Sequence, residues 1–198
     1  MSGPVAIVVL AAGASRRLGR PKQLEPYGGI PLLVHAARVA LESALGPVVI
    51  VLGAEAGRCR TAIAEAGLPA MPVLIVNPAW ASGVASSIRV GVAEAARLDP
   101  PCEAVLIMTC DQPLVGAAHL RRLVDEARAS GLPLAASGYA DTIGVPALFA
   151  REVWSELRAL DGDTGAKRVL TRSKARVAVV HCAEAEPDVD VDPSARRP

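Results

Sequence analysis

The 198-residue chain has no excess of either charge: 21 Lys and Arg stand against 20 Asp and Glu, a formal net charge of +1. Nucleic-acid and membrane-surface proteins carry a strong basic excess. Neither partner is expected, and any phosphate must be met by a local group of cations. Cysteine is sparse: Cys59, Cys102, Cys110 and Cys182 form no CxxC pair. That removes a zinc site and a dithiol redox motif and fits a reducing, cytoplasmic setting. No basic region precedes the apolar run at 5–12, as a secretory leader would require, and the run is too short to span a bilayer. Aromatics are few, one Phe, two Tyr and two Trp. Together with the abundant Ala and Arg they are attributed to base composition, not to a function.

Hydrophobic residues make up 52% of the chain. A chain of this size buries roughly 70% of its unfolded surface, so one compact domain over 1–198, without disulfides or structural metal, is expected. Apolar runs without polar alternation recur at 5–12, 48–53, 73–76, 104–109, 134–136 and 175–181, the pattern of strands covered on both faces. Helical spacing fills 31–45, 55–66, 86–98 and 117–130. The alternation predicts an α/β fold with a doubly wound, mostly parallel sheet in three layers, Rossmann-like in outline. After Gly138 the pattern loosens at Asp141, Gly144 and Pro146 before a helix at 151–160, which reads as an insertion or cap. Residues 183–198 show no period and read as loop.

In such a fold ligands sit beyond the carboxyl ends of the strands. There, after the first run, the sequence places Gly13, Ser15, Arg16, Arg17, Gly19, Arg20 and Lys22. Small residues free backbone N–H groups to surround an anion, while Arg and Lys add charge. This is the chemistry of a polyphosphate cradle, against the alternative of a solvated basic loop. Neither GxxxxGK[ST] nor GxGxxG is present.

The stretch LAAGASRRLGRPKQL at 10–24 resembles the N-terminal signature of the MobA-like nucleotidyltransferases, and within that family the version LAAGxSxRMGxPKQL of the cytidylyltransferases acting on the molybdenum cofactor. Ala12 stands where guanylyl-transferring relatives carry a second Gly, and Leu18 where Met is usual. Residues 77–91, 111–113, 144–149 and 162–167 are similar to the family's later blocks, with Lys167 where Arg is commoner.

The resemblance implies transfer of CMP from CTP to the phosphate of molybdenum-loaded molybdopterin, with pyrophosphate released and a recipient molybdoenzyme or its chaperone as a possible further partner; the alternatives are a related nucleotidyltransferase using GTP or another phosphorylated acceptor, and a non-catalytic nucleotide- or cofactor-binding module. Nucleotide contacts would come from Leu10, Ala11, Ala12, Gly13, Ser15, Arg16, Lys22 and Asn77. Acceptor contacts would come from Ser86, Ser87, Arg89, Gly144, Pro146 and Asp163. Lys22, Arg16 and Asp111 carry the catalytic expectation. Asp111, between an apolar run and a Pro, suits Mg²⁺, which takes one or two carboxylates plus phosphates and water; a helix-capping turn is its other reading. Asp190 is expected as the second metal ligand, with Asp188 and Asp192 as rivals. Cys110 has no His near it in sequence, and His35, His119 and His181 share no motif. A phosphate acceptor is already an anion and needs no general base.

Overall fold

The computed structural model describes residues 3–15, 19–139, 142–172 and 174–182. Seven strands form one sheet: β1 (Val5–Ala11), β4 (Val48–Leu52), β5 (Val73–Val76), β6 (Ala104–Thr109), β7 (Leu134–Tyr139), β8 (Thr142–Ala150) and β9 (Val177–His181). Their order is β5-β4-β1-β6-β8-β7-β9. A small hairpin, β2 (Pro26–Tyr27) with β3 (Ile30–Pro31), stands apart from it. Only β8 among these seven runs antiparallel to its neighbours, so the expected mostly parallel sheet is present.

Alternate residues of each strand face opposite sides, and both sides are apolar, which is why the runs lack polar alternation. Val5, Ile7 and Val9 of β1 join one core with α1 (Leu32–Glu42), α2 (Ala56–Ala64) and α4 (Ala117–Ser130). Ala6, Val8 and Leu10 join the other with α3 (Val84–Ala95), α5 (Trp154–Arg158) and α6 (Lys167–Arg172). These are the three layers. No helix among the described residues is long and apolar enough to cross a membrane.

Two expectations are corrected. The segment after Gly138 is no cap: β8 lies inside the sheet between β6 and β7. Its Gly144 and Pro146 disguised it, since proline cannot donate to a ladder and is rare within sheets. The pairing with β7 jumps from Ala136↔Ala147 to Ser137↔Gly144. Val145 and Pro146 therefore fall in a bulge, where no ladder bond is asked of the proline. The second correction concerns α3, which begins at Val84, not at Ser86.

Candidate functional site

Strands β1 and β6 are parallel neighbours with Leu10 opposite Thr109. Whatever follows them emerges side by side at the carboxyl edge of the sheet. After β1 comes the glycine-spaced cationic loop, and after β6 comes Asp111. The loop is folded back on itself. The Gln23 side chain, 2% exposed, donates through Nε2 to the carbonyls of Gly13 (3.1 Å) and Ala54 (3.3 Å). The Lys22 backbone N–H donates to Ser15 Oγ at 3.0 Å. Residues Lys22–Leu24 make a single 3₁₀ turn, and the Lys22 ammonium reaches Asp111 Oδ2 at 3.3 Å.

Two cavities meet at Asp111. The first, about 440 Å³, is walled by 10–15, Lys22, Gln23, Trp80, Ser87, Asp111 and Asp163. The second, about 310 Å³, is walled by Leu10, Val84, Ile88, Ile107, Ile143, Val145 and neighbouring residues, with Lys167 also on its wall. Leu10, Val84, Thr109 and Asp111 belong to both walls.

The second cavity contains a closed polar cluster that the sequence reading missed. Thr109 Oγ1 donates to Gln112 Oε1 at 3.2 Å. Gln112 Nε2 donates to Tyr139 Oη at 3.1 Å and to the Val145 carbonyl at 2.9 Å. The Tyr139 hydroxyl donates to that same carbonyl, which the β8 bulge leaves free. These groups satisfy one another, and the other polar residues on the wall are Asp111, Thr142 and Lys167, the last donating to Thr142 Oγ1 at 2.6 Å. Behind the turn, His35 Nε2 bonds the Pro113 carbonyl at 2.9 Å, and the Tyr27 ring meets His35 edge-on at 5.3 Å. Burial pushes the Tyr139 phenol above its ordinary pKa, with smaller opposing effects from its hydrogen bonds.

Of the expected nucleotide contacts, Leu10, Ala11, Ala12, Gly13, Ser15 and Lys22 line the first cavity. Asn77 does not. It is 1% exposed, and its Nδ2 donates to Ser86 Oγ (2.8 Å) and Ser87 Oγ (3.0 Å), while Oδ1 accepts from the Ala79 N–H at 2.9 Å. It ties the end of β5 to the start of α3 and has no group left for a ligand. Ser86 is likewise turned inward, its hydroxyl directed at the Gly83 and Ala79 carbonyls, leaving Ser87 alone of the pair on the wall.

Arg89, expected at the acceptor, bonds the Leu160 carbonyl and lies 3.8 Å from Asp161, off both cavity walls. Asp163 lines the first cavity and not the second. Gly144 lines the second cavity. Pro146 does not, its carbonyl being taken by Ser137 Oγ at 2.7 Å. Arg16, Asp188, Asp190 and Asp192 lie outside the described residues. Arg20 pairs with Glu25 at 3.2 Å.

Gly83 fixes how the 161–166 loop meets α3. It sits at φ +113, and a Cβ there would lie 2.2 Å from the Gly162 carbonyl oxygen. Gly83→Ala is therefore expected to cost ~2–4 kcal/mol from left-handed strain and overpacking together, read as a lower midpoint in urea unfolding.

The four cysteines are buried. Desolvation holds the thiols of Cys59, Cys102 and Cys110 above their ordinary pKa, most strongly at Cys110. None should react rapidly with a thiol reagent at pH 8 in the native state, whereas the unfolded chain should expose all four. The same shifts have a sign for stability. Above about pH 8.5 the unfolded chain releases thiol protons that the folded chain retains, so the stability present below that pH declines as pH rises further.

The donor set at Asp111 can be tested against a divalent cation. Asp111 offers hard carboxylate oxygens on the walls of both cavities. Among the described residues no group of three or more His, Cys, Asp or Glu could form a cage. This suits an ion that draws most of its ligands from substrate phosphates and water.

Residues 7–177 match a family described as the MobA-like NTP transferase domain. Nicotine blue oxidoreductase of Paenarthrobacter nicotinovorans is 33% identical over 192 residues, 93% of this chain and 90% of that protein. Bifunctional protein GlmU of Burkholderia ambifaria (strain MC40-6) is 36% identical over 124 residues, 62% of this chain, and the match spans only 25% of that longer protein. The crystal structure of Rv0371c from Mycobacterium tuberculosis H37Rv superposes with a TM-score of 0.77 at 32% identity, covering 92% of this chain and 89% of that one. A second structure of Rv0371c, complexed with manganese, gives 0.72 at 31% identity over the same shares.

Proposed function

Since the chain belongs to the MobA-like NTP transferase family of nucleotidyltransferases, we propose that it moves CMP from CTP onto the terminal phosphate of molybdenum-loaded molybdopterin and releases pyrophosphate. The observation that carries this reading is the Lys22–Asp111 contact at 3.3 Å where the two cavities join. A cation for the leaving polyphosphate and a carboxylate for a metal stand together, and the carboxylate lies on the walls of both cavities.

The triphosphate lies along 13–22, with Lys22 offsetting charge that grows on the departing pyrophosphate. Backbone N–H groups of the loop orient it, and Gln23 keeps that loop from spreading. Asp111 is the described residue that would hold Mg²⁺, with Asp190 proposed as a second ligand. When bound, Mg²⁺ neutralises the phosphate oxygens and polarises the α-phosphorus. The acceptor phosphate attacks that phosphorus in line and displaces pyrophosphate, so no proton has to be removed. What the chain supplies is alignment and charge. The second cavity, where Leu10, Val84, Ile88, Ile107, Ile143 and Val145 stand beside Asp111 and Lys167, favours an acceptor with a flat, weakly polar body and an anionic group over a polyol. The cytidine preference rests on Ala12 in the signature. Ser87 and Gly144 are proposed at the two ligands' edges.

Pyrophosphate release is measured with Mg²⁺, each ribonucleotide in turn and molybdenum-loaded molybdopterin. Release with CTP alone is the expected result, and release with GTP alone would overturn the base assignment.

A second reading draws on the 33% identity to nicotine blue oxidoreductase. The cradle would hold the pyrophosphate of a nicotinamide dinucleotide and the apolar cavity a heterocyclic hydride acceptor. NADH or NADPH oxidation dependent on such an acceptor, without any pyrophosphate release from CTP, would favour it.

A further inference from the structure

Lys22 and Asp111 have different tasks in the reaction above, one toward the triphosphate and one toward a divalent cation. Yet in the ligand-free chain their charged atoms stand 3.3 Å apart, with the side chains only 19% and 33% exposed. A carboxylate already holding an ammonium in a partly desolvated seam is a poor host for a second cation. The incoming charge is repelled by the first, and partial burial weakens the screening between them. The protein has few means to compensate, because no preformed cluster of ligands surrounds Asp111 among the described residues, while Mg²⁺ and Mn²⁺ call for about six oxygen ligands.

A triphosphate changes both circumstances at once. It offers the Lys22 ammonium a more highly charged anion within the same cavity, and it offers the metal two or more oxygens beside Asp111. The short 3₁₀ turn that carries Lys22 is fixed through its backbone, by the N–H bond to Ser15 Oγ. The side chain can therefore swing from carboxylate to phosphate without disturbing the loop.

We propose that Lys22 is the resident counter-cation of Asp111 and makes divalent-metal binding wait for the nucleotide. The proposal rests on the nucleotide reading of the first cavity. In it the lysine holds the carboxylate in place in the empty chain, keeps free metal out, and hands the carboxylate over when phosphate arrives. By linkage the dependence is reciprocal: bound metal tightens nucleotide by the factor by which nucleotide tightens metal.

The test titrates Mn²⁺ into nucleotide-free protein and follows the electron paramagnetic resonance signal of unbound Mn²⁺. The wild-type chain should bind weakly, in the millimolar range. Lys22→Met, which keeps the length of the side chain and removes its charge, should bind about tenfold tighter or more. That gain should vanish in the double variant Lys22→Met with Asp111→Asn. It should be absent in Lys167→Met, which deletes an equal charge on the second cavity.

The proposal is overturned if Lys22→Met binds Mn²⁺ no tighter than wild type, if the gain survives Asp111→Asn, or if Lys167→Met reproduces it. Calorimetry with CTP, in EDTA and then with Mn²⁺, keeps the two ideas separable. Wild type should bind CTP in EDTA through the cradle alone. No CTP binding under either condition would remove the nucleotide reading and the waiting step, while the Mn²⁺ titration still decides whether Lys22 is the counter-cation.

Discussion

Lys22→Ala should lower nucleotide-dependent pyrophosphate release by about a thousandfold in kcat/KM while leaving the unfolding midpoint within a few degrees of wild type. The size follows from removing one preorganised charge from a site where negative charge develops, an effect on the order of 10²–10³ in such sites. Folding is spared because the loop is held by groups other than the Lys22 side chain, namely the Lys22 N–H on Ser15 and the Gln23 amide on Gly13 and Ala54. The ion pair itself is partly exposed and contributes little to stability. Lys22→Arg should recover part of the rate, since it restores charge with altered reach. Steady-state pyrophosphate release on purified variants checks this, and a wild-type rate in Lys22→Ala would remove the lysine from the mechanism.

Asp111→Asn should cost a comparable factor and should also flatten the dependence of rate on Mg²⁺ concentration. The substitution keeps the shape of the side chain, so the neighbouring Gln112 network with Thr109, Tyr139 and Val145 should persist. What is lost is the negative charge that offers a hard oxygen to the cation. CTP binding in the absence of metal should be kept or improved, because Lys22 loses the carboxylate that competes for it. A Mg²⁺ titration of the variant with an unshifted midpoint would show that the metal is held elsewhere.

The sheet was legible where sequence carries its period openly. The strands at 73–76 and 104–109 match their runs residue for residue: β6 because both faces of an interior strand are apolar, and the edge strand β5 because its four apolar, β-branched-rich residues are uninterrupted. β8 was opaque because it carries Gly144 and, in its bulge, Pro146, residues that argue against a strand, and β7 was read short because Ser137 and Gly138 break its hydrophobic run. At the site, chain order alone indicated that Gly13–Lys22 and Asp111 would share one edge, since both follow parallel strands. Asn77, Ser86 and Arg89 misled for the opposite reason. Polar residues in a motif block look like ligand contacts, yet Asn77 and Ser86 turn inward to hold the start of α3 against the β5 end, and Arg89 reaches the loop at 160–161. Gln112 and Tyr139 left no signal of their own, because their roles depend on a carbonyl that only the bulge exposes.

The most direct test is a crystal structure of the chain with a non-hydrolysable CTP analogue and Mn²⁺, the metal located by its anomalous signal. The account predicts manganese on Asp111, the triphosphate along 13–22 with Lys22 moved from the carboxylate to a phosphate oxygen, and the α-phosphorus facing the second cavity. Manganese bound away from Asp111, or a triphosphate seated elsewhere with Lys22 still on the aspartate, would contradict it.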